Sequence, residues 1–182
     1  MQVGLAPLPA ENHVCDGCGF SYSMLSVEAA RVQLWSQPHD IRAAVLSIPE
    51  GRARRRPEPG TWSVLEYACH IRDVYATTTI RLHRAVTESL PVLEPMFNDL
   101  RAMRFRYNER DVAGILGELE DNARGFDDEI AAVAEQYWDR QVMRLADEFR
   151  SARWLVRHAV HEGAHHLGDI RRVADRVSRA HD

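Results

Sequence analysis

The chain has 182 residues, 45% of them apolar and 27% charged. That suffices for one well-packed domain and excludes a wholly disordered polypeptide. Its 23 basic and 27 acidic side chains leave a net charge of −4, so it lacks the positive field of a nucleic-acid binder. No apolar run approaches the roughly 20 residues of a membrane helix. The first residues, Met1 to His13, have neither a basic start nor a long apolar stretch, so no secretory signal is expected and the cytoplasm is the expected location.

Residues 1–25 read as an irregular segment. They contain Gly4, Pro7, Pro9, Gly17 and Gly19 around Cys15-Asp-Gly-Cys18, and they show no helical period. Residues 26–182 read as one helical domain. Its first helix should run from Ser26 to Ile48, broken or kinked near Pro38. The run Arg52 to Arg56, set between Pro49 and Pro57, reads as a solvated loop rather than a patch for phosphate or an acidic partner.

Ser63-Val-Leu-Glu66 has the spacing of a capping box and predicts a second helix over Val64–Glu88. Pro91 and Pro95 end it, and a linker with Arg104, Tyr107 and Asn108 follows. A third helix is expected over Asp111–Gln136, where Ile115, Leu119, Phe126, Ile130 and Val133 recur at helical spacing. Trp138–Arg150 reads as a loop with a short helix. Ser151 is placed to cap a last helix over Ala152–Ser178. Strand signals are weak throughout. Four long helices imply an all-α fold, an antiparallel four-helix bundle behind an irregular N-terminal CxxC segment.

Four of nine histidines fall close together on the last helix: His158, His161, His165 and His166. At about 100° per residue, Glu162 and His166 border the apolar stripe of Val156, Ala159, Leu167, Ile170 and Val173. His161 leans toward the solvent side marked by Arg153, Arg157, Arg171 and Arg172. A glutamate and a histidine one turn apart on a buried face suit a divalent metal. His70, two turns into the second helix, is the natural third ligand. His161-Glu-Gly-Ala-His165 also matches the H-E-x-x-H of zinc proteases. However, Arg171 stands where the extended motif needs a third histidine, no glutamate follows in its place, and no sheet precedes to hold a peptide. The alternative metal set is His70, His161 and His165.

Cys15 and Cys18 have the spacing of half a zinc knuckle, and a structural zinc needs four ligands. Cys69 lies on the wrong side of its helix. His13, or the pair His161 and His165, can complete the set; a redox pair is the other chemical reading. The N-terminal 20 residues have little apolar surface and are expected to order through these cysteines.

The segments Trp62-Ser-Val-Leu-Glu-Tyr-Ala-Cys-His70-Ile-Arg-Asp and Val160-His-Glu-Gly-Ala-His-His166-Leu-Gly-Asp-Ile resemble the DinB/YfiT-like superfamily. Those proteins are four-helix bundles with a metal site between helices. The resemblance makes His166 the last ligand and Glu162 its partner. A His, Glu, His set is similar to that of the mycothiol-dependent maleylpyruvate isomerase branch, which implies zinc, or secondarily nickel, and a mycothiol-type thiol as co-substrate. The implied partners are a small-molecule thiol and an electrophilic substrate, with neither nucleic acid nor membrane. The implied activity is thiol transfer or isomerisation. The second reading is a metal-binding or stress-response bundle without catalysis, acting as a homodimer or as a sensor through the CxxC. No counterpart of the branch's C-terminal domain is expected, which leaves the particular substrate open, and Tyr107-Asn-Glu-Arg110 acquires no role from the sequence.

Overall fold

A computed structural model describes residues 6–145 and 147–179. Six helices follow in order: α1 (Val27–Leu46), α2 (Glu50–Ala53), α3 (Val64–Thr87), α4 (Asn98–Arg104), α5 (Val112–Ala132) and α6 (Ala152–Arg179). The four long ones, α1, α3, α5 and α6, form the expected bundle. Each starts on a side-chain cap that satisfies an otherwise orphaned amide. Ser26 accepts from Ala29, Asp111 from Gly114, and Ser151 from Trp154. Ser63 and Glu66 make both bonds of the capping box. α1 runs unbroken through Pro38, at the cost of one missing amide donor.

The order of contacts departs from a simple up-and-down bundle. Arg31 pairs with Asp127 and Arg42 with Glu120, so α1 and α5 are antiparallel. Tyr67 meets His166 and His70 meets Glu162, so α3 and α6 are antiparallel as well. The other two neighbouring pairs run parallel. Arg72 reaches Glu118 and His83 reaches Glu129 along α3 and α5. Leu25 meets Arg157 and Gln37 meets Val160 along α1 and α6.

A parallel α3–α5 pair forces the chain to return the full length of the bundle between them. The expected linker is therefore a structured crossover, containing α4 and a 3-10 turn at Tyr107–Glu109. It is strapped to α3: the Tyr107 hydroxyl and the Arg101 guanidinium donate to Asp73, and Asn108 takes a hydrogen bond from Ser63. This gives Tyr107 and Asn108 their role. The arginine run is likewise not a free loop. Arg52 and Ala53 belong to α2, Arg54 donates to the carbonyls of Asn108 and Arg110, and Arg56 grips the buried carboxylate of Glu66.

The region expected as a loop with a short helix is a 3-10 turn (Glu135–Tyr137) followed by an antiparallel hairpin, β1 (Gln141–Met143) and β2 (Phe149–Ser151). Its edge bonds to the crossover through Leu93 N to Met143 O and Met143 N to Pro91 O. Strands this short carry almost no alternating pattern. Residues 6–25 contain no helix, but they are better anchored than their composition suggests. Tyr22 is fully buried and stacks on Trp154, and Phe20 packs on His161.

Candidate metal centre

The site lies where α3 and α6 cross. Gly163 allows that crossing: a Cβ there would collide with the Tyr75 hydroxyl and the Gln37 amide. The antiparallel pairing sets His70 opposite Glu162, with His70 Nε2 3.3 Å from Glu162 Oε2. His166, one turn on, places its Nε2 3.5 Å from the same oxygen. The three residues offer donor atoms all within 4.8 Å of one another. His70 is walled in by Trp62, and His166 lies against Tyr67. The His70 side chain is 3% exposed, whereas those of Glu162 and His166 are 19% and 17% exposed. The site is thus sealed behind His70 and reachable from one side.

Its electrostatics favour a bound cation. Burial alone would raise the Glu162 carboxyl, but hydrogen bonds from His161, His166 and His70 hold it well below the usual carboxylate range. Burial would lower His166, but Asp169 and Glu162 raise it to about 9. A divalent ion would displace that proton while keeping the same ionised carboxylates. Asp169 lies 2.8 Å from His166 Nδ1 and so leaves Nε2 to the site, the usual arrangement behind a ligating imidazole. Asp73, the other expected supporting carboxylate, serves Tyr107, Arg101 and Arg72 instead.

A cavity of ≈ 260 Å³ opens beside these groups. His70, Glu162 and His158 form one wall, Val74, Leu93 and Leu155 give it an apolar body, and Arg81 and Arg144 also line it. Arg144 is engaged by Glu148. Arg81 donates to the Glu94 carbonyl but makes no ion pair among the described residues, and burial, helped by nearby Arg144, lowers its pKa. Burial also lowers His158 to about 4, so it stands neutral on the cavity wall. The sequence did not single out Arg81 or Arg144, and it gave His158 no role. Arg81 lies two turns beyond Val74 and one beyond Thr78 on the buried flank of α3, which is a signal only once His70 is fixed.

His161 and His165 turn the other way. His161 is buried rather than facing solvent, because residues 6–25 cover that flank of α6. Cys15, Cys18, His161 and His165 bring one donor each within 4.8 Å of one another. Neither His13, which packs on Tyr22, nor Cys69 belongs to that group. Cys69 is buried against the Tyr107 carbonyl, with its thiol pushed up to about 12 by burial. Among the described residues, no group joins His70 to His161 and His165. A zinc held by the H-E-x-x-H histidines would also meet two thiols, which leaves no open position for a protease's water.

The chain is thus a four-helix bundle with a histidine–carboxylate set, able to hold a metal ion, on its second and fourth long helices. Residues 33–170 match the profile of the DinB superfamily, and the chain belongs to that superfamily. No curated protein matches the chain significantly. Among solved structures, the chain is similar to YfiT from Bacillus subtilis, described as a probable metal-dependent hydrolase with an unusual four-helix bundle topology. The TM-score is 0.77 at 17% identity, over 84% of this chain and 87% of that one. At that identity the likeness establishes the fold. Among the described residues, no helix is long and apolar enough to cross a membrane.

Proposed function

We propose that this chain is a metal-dependent enzyme in which His70, Glu162 and His166 hold a divalent cation, and which joins a low-molecular-weight thiol of the mycothiol type to a small anionic electrophile. One observation carries the reading: a mixed imidazole–carboxylate set converges beside a cavity that two of its members, His70 and Glu162, line together with guanidinium groups. Two imidazoles and one carboxylate suit zinc first and nickel second, and three protein ligands are the number that leaves a position open. When bound, such a cation is a Lewis acid that acidifies a thiol or water reaching that position.

The chain's own residues do the rest. Arg81, lacking a carboxylate partner among the described residues, binds the acidic group of the electrophile. Val74, Leu93 and Leu155 hold its uncharged body and exclude water. Asp169 fixes the His166 ring, and neutral His158 offers a hydrogen bond without adding charge. The reaction calls for reduced thiols, and we place the chain in the cytoplasm.

The description of YfiT favours hydrolysis as the second reading, with water in place of the thiol at the same groups. The third is metal binding without catalysis, by a homodimer or a sensor. The deciding experiment offers the zinc-loaded chain mycothiol, glutathione or cysteine together with a panel of unsaturated and halogenated acids, and separately a panel of esters and amides. A thiol adduct, detected by mass and lost in His70→Ala, supports the proposal. Hydrolysis alone selects the second reading, and neither activity with bound metal selects the third. Single alanine replacements at His70, Glu162 and His166 should each remove one equivalent of metal. Full retention in Glu162→Ala would refute the ligand set.

A further inference from the structure

Successive residues on α6 differ by about 100° in direction, so His161 and His165 lie next to Glu162 and His166 in sequence yet address a different partner. That partner is a tight turn in the N-terminal segment. Val14 bridges Ser21, the Cys15 amide donates to the Phe20 carbonyl at 2.9 Å, and the Gly19 amide donates to the Cys15 carbonyl at 2.7 Å. Gly19 takes a left-handed φ of 73° to close the turn. A Cβ at Gly17 would lie 2.9 Å from His165 Cε1, so glycine lets the turn press onto the imidazole.

Each donor has one atom free for the centre. His165 Nδ1 is 3.5 Å from Cys15 Sγ, and its Nε2 lies 3.6 Å from Asp169. His161 Nδ1 is 2.9 Å from the Tyr22 hydroxyl, whereas its Nε2 is buried with no hydrogen-bond partner among the described residues. An orphaned buried nitrogen is destabilising, and here it belongs to the group that contains both sulfurs. The cysteines are free thiols rather than a disulfide.

We propose that Cys15, Cys18, His161 and His165 form a closed Cys2His2 zinc site that clamps the N-terminal segment onto α6. Two thiolates neutralise the dication, which makes its burial affordable. Four protein ligands fill the tetrahedron, so the site is structural rather than catalytic. It also fixes protons next door. With Nε2 on the metal, His161 carries its proton on Nδ1 and donates it to the Tyr22 hydroxyl. Tyr22 in turn donates to His158 Nδ1, 2.8 Å away, setting the tautomer that His158 shows to the cavity. Asp169 touches both His165 and His166, so one carboxylate supports both centres. The proposal is independent of the reading of the His70 site.

The test is metal analysis and cobalt substitution of the full chain, with His70→Ala, Cys18→Ser and the Cys15→Ser/Cys18→Ser pair. Wild type should bind two zinc ions per chain. His70→Ala should retain one, and its cobalt form should show the intense sulfur-to-cobalt charge-transfer band of a tetrahedral thiolate site. The double cysteine variant should lose one equivalent and the band, and proteolysis near Gly17 or Gly19 should accelerate at least tenfold. X-ray absorption of zinc-loaded His70→Ala needs no change at the proposed ligands, and should show about two sulfurs near 2.3 Å and two nitrogens near 2.0 Å. A zinc count unchanged by loss of both cysteines, a sulfur-free absorption spectrum, or a Cys15–Cys18 disulfide in zinc-replete, reducing buffer would each overturn the proposal.

Discussion

Replacing Gly163 with alanine should destabilise the protein, although alanine is the better helix former. The added Cβ would meet the Tyr75 hydroxyl and the Gln37 side chain. Neither can simply swing away. Tyr75 is fully buried, and Gln37 is held between the Tyr75 hydroxyl and the Val160 carbonyl, the latter at 2.8 Å. Overpacking of this kind costs about 1–3 kcal/mol, and two weakened buried hydrogen bonds add about 1 kcal/mol each. Helix propensity returns about 1 kcal/mol, leaving a net loss of roughly 2–4 kcal/mol. For a chain of this length, that is a fall in Tm of roughly 4–16 °C. The internal control is Gly117→Ala in α5, where a Cβ would meet nothing within 4 Å; it should gain up to about 1 kcal/mol. Thermal unfolding followed by circular dichroism measures both. If Gly163→Ala melts at or above the wild-type temperature, the close crossing of α6 with α1 and α3 is not as described.

Three further outcomes are expected. Burial would raise the Asp73 carboxyl, but hydrogen bonds from Tyr107 and Arg101 and the charge of Arg72 hold it below the ordinary range. A depressed carboxylate contributes stability above its unfolded pKa of about 3.9 and loses it as pH falls through the folded value. Asp73→Asn should therefore cost about 2–3 kcal/mol near pH 7, with the gap from wild type narrowing below about pH 4 in urea melts; a constant gap down to pH 3 would refute it. Arg56→Ala strips the buried Glu66 carboxylate of its bidentate partner. Because Arg56 is itself 43% exposed, the loss should be only about 1–2 kcal/mol, read from the denaturation midpoint. Arg81→Gln should weaken binding of a small dicarboxylate such as fumarate, measured calorimetrically, by about 10- to 100-fold, the worth of one charge-assisted hydrogen bond. Equal affinity in the two proteins would remove Arg81 from the substrate pocket.

Much of the bundle was legible because its signals are local. Ser63 and Glu66 announce a helix start within four residues, and Ile115, Leu119, Phe126 and Ile130 repeat at the period of a turn. Glu162 and His166 could be paired for the same reason, since one turn of one helix fixes their spacing. Adding His70 required a guess about which helices touch. α3 and α6 do pack together and bring His70 to within 3.3 Å of Glu162, but nothing in the linear pattern encodes that pairing. The crossover and the hairpin were missed because α4, the 3-10 turn and two three-residue strands are too short to show a period. They are held by Asp73, Asn108 and the carbonyl of Pro91, all distant in sequence. The placement of His161 failed for another reason. A helical wheel assigns a face to solvent by the residues on that helix alone, whereas here Phe20 and Tyr22 arrive from far up the chain to cover it. The sequence thus determined which residues are competent ligands and on which helices they ride. Only the tertiary structure decided that they divide into two sets, because a helix gives each side chain a direction and its packing neighbours decide what waits there.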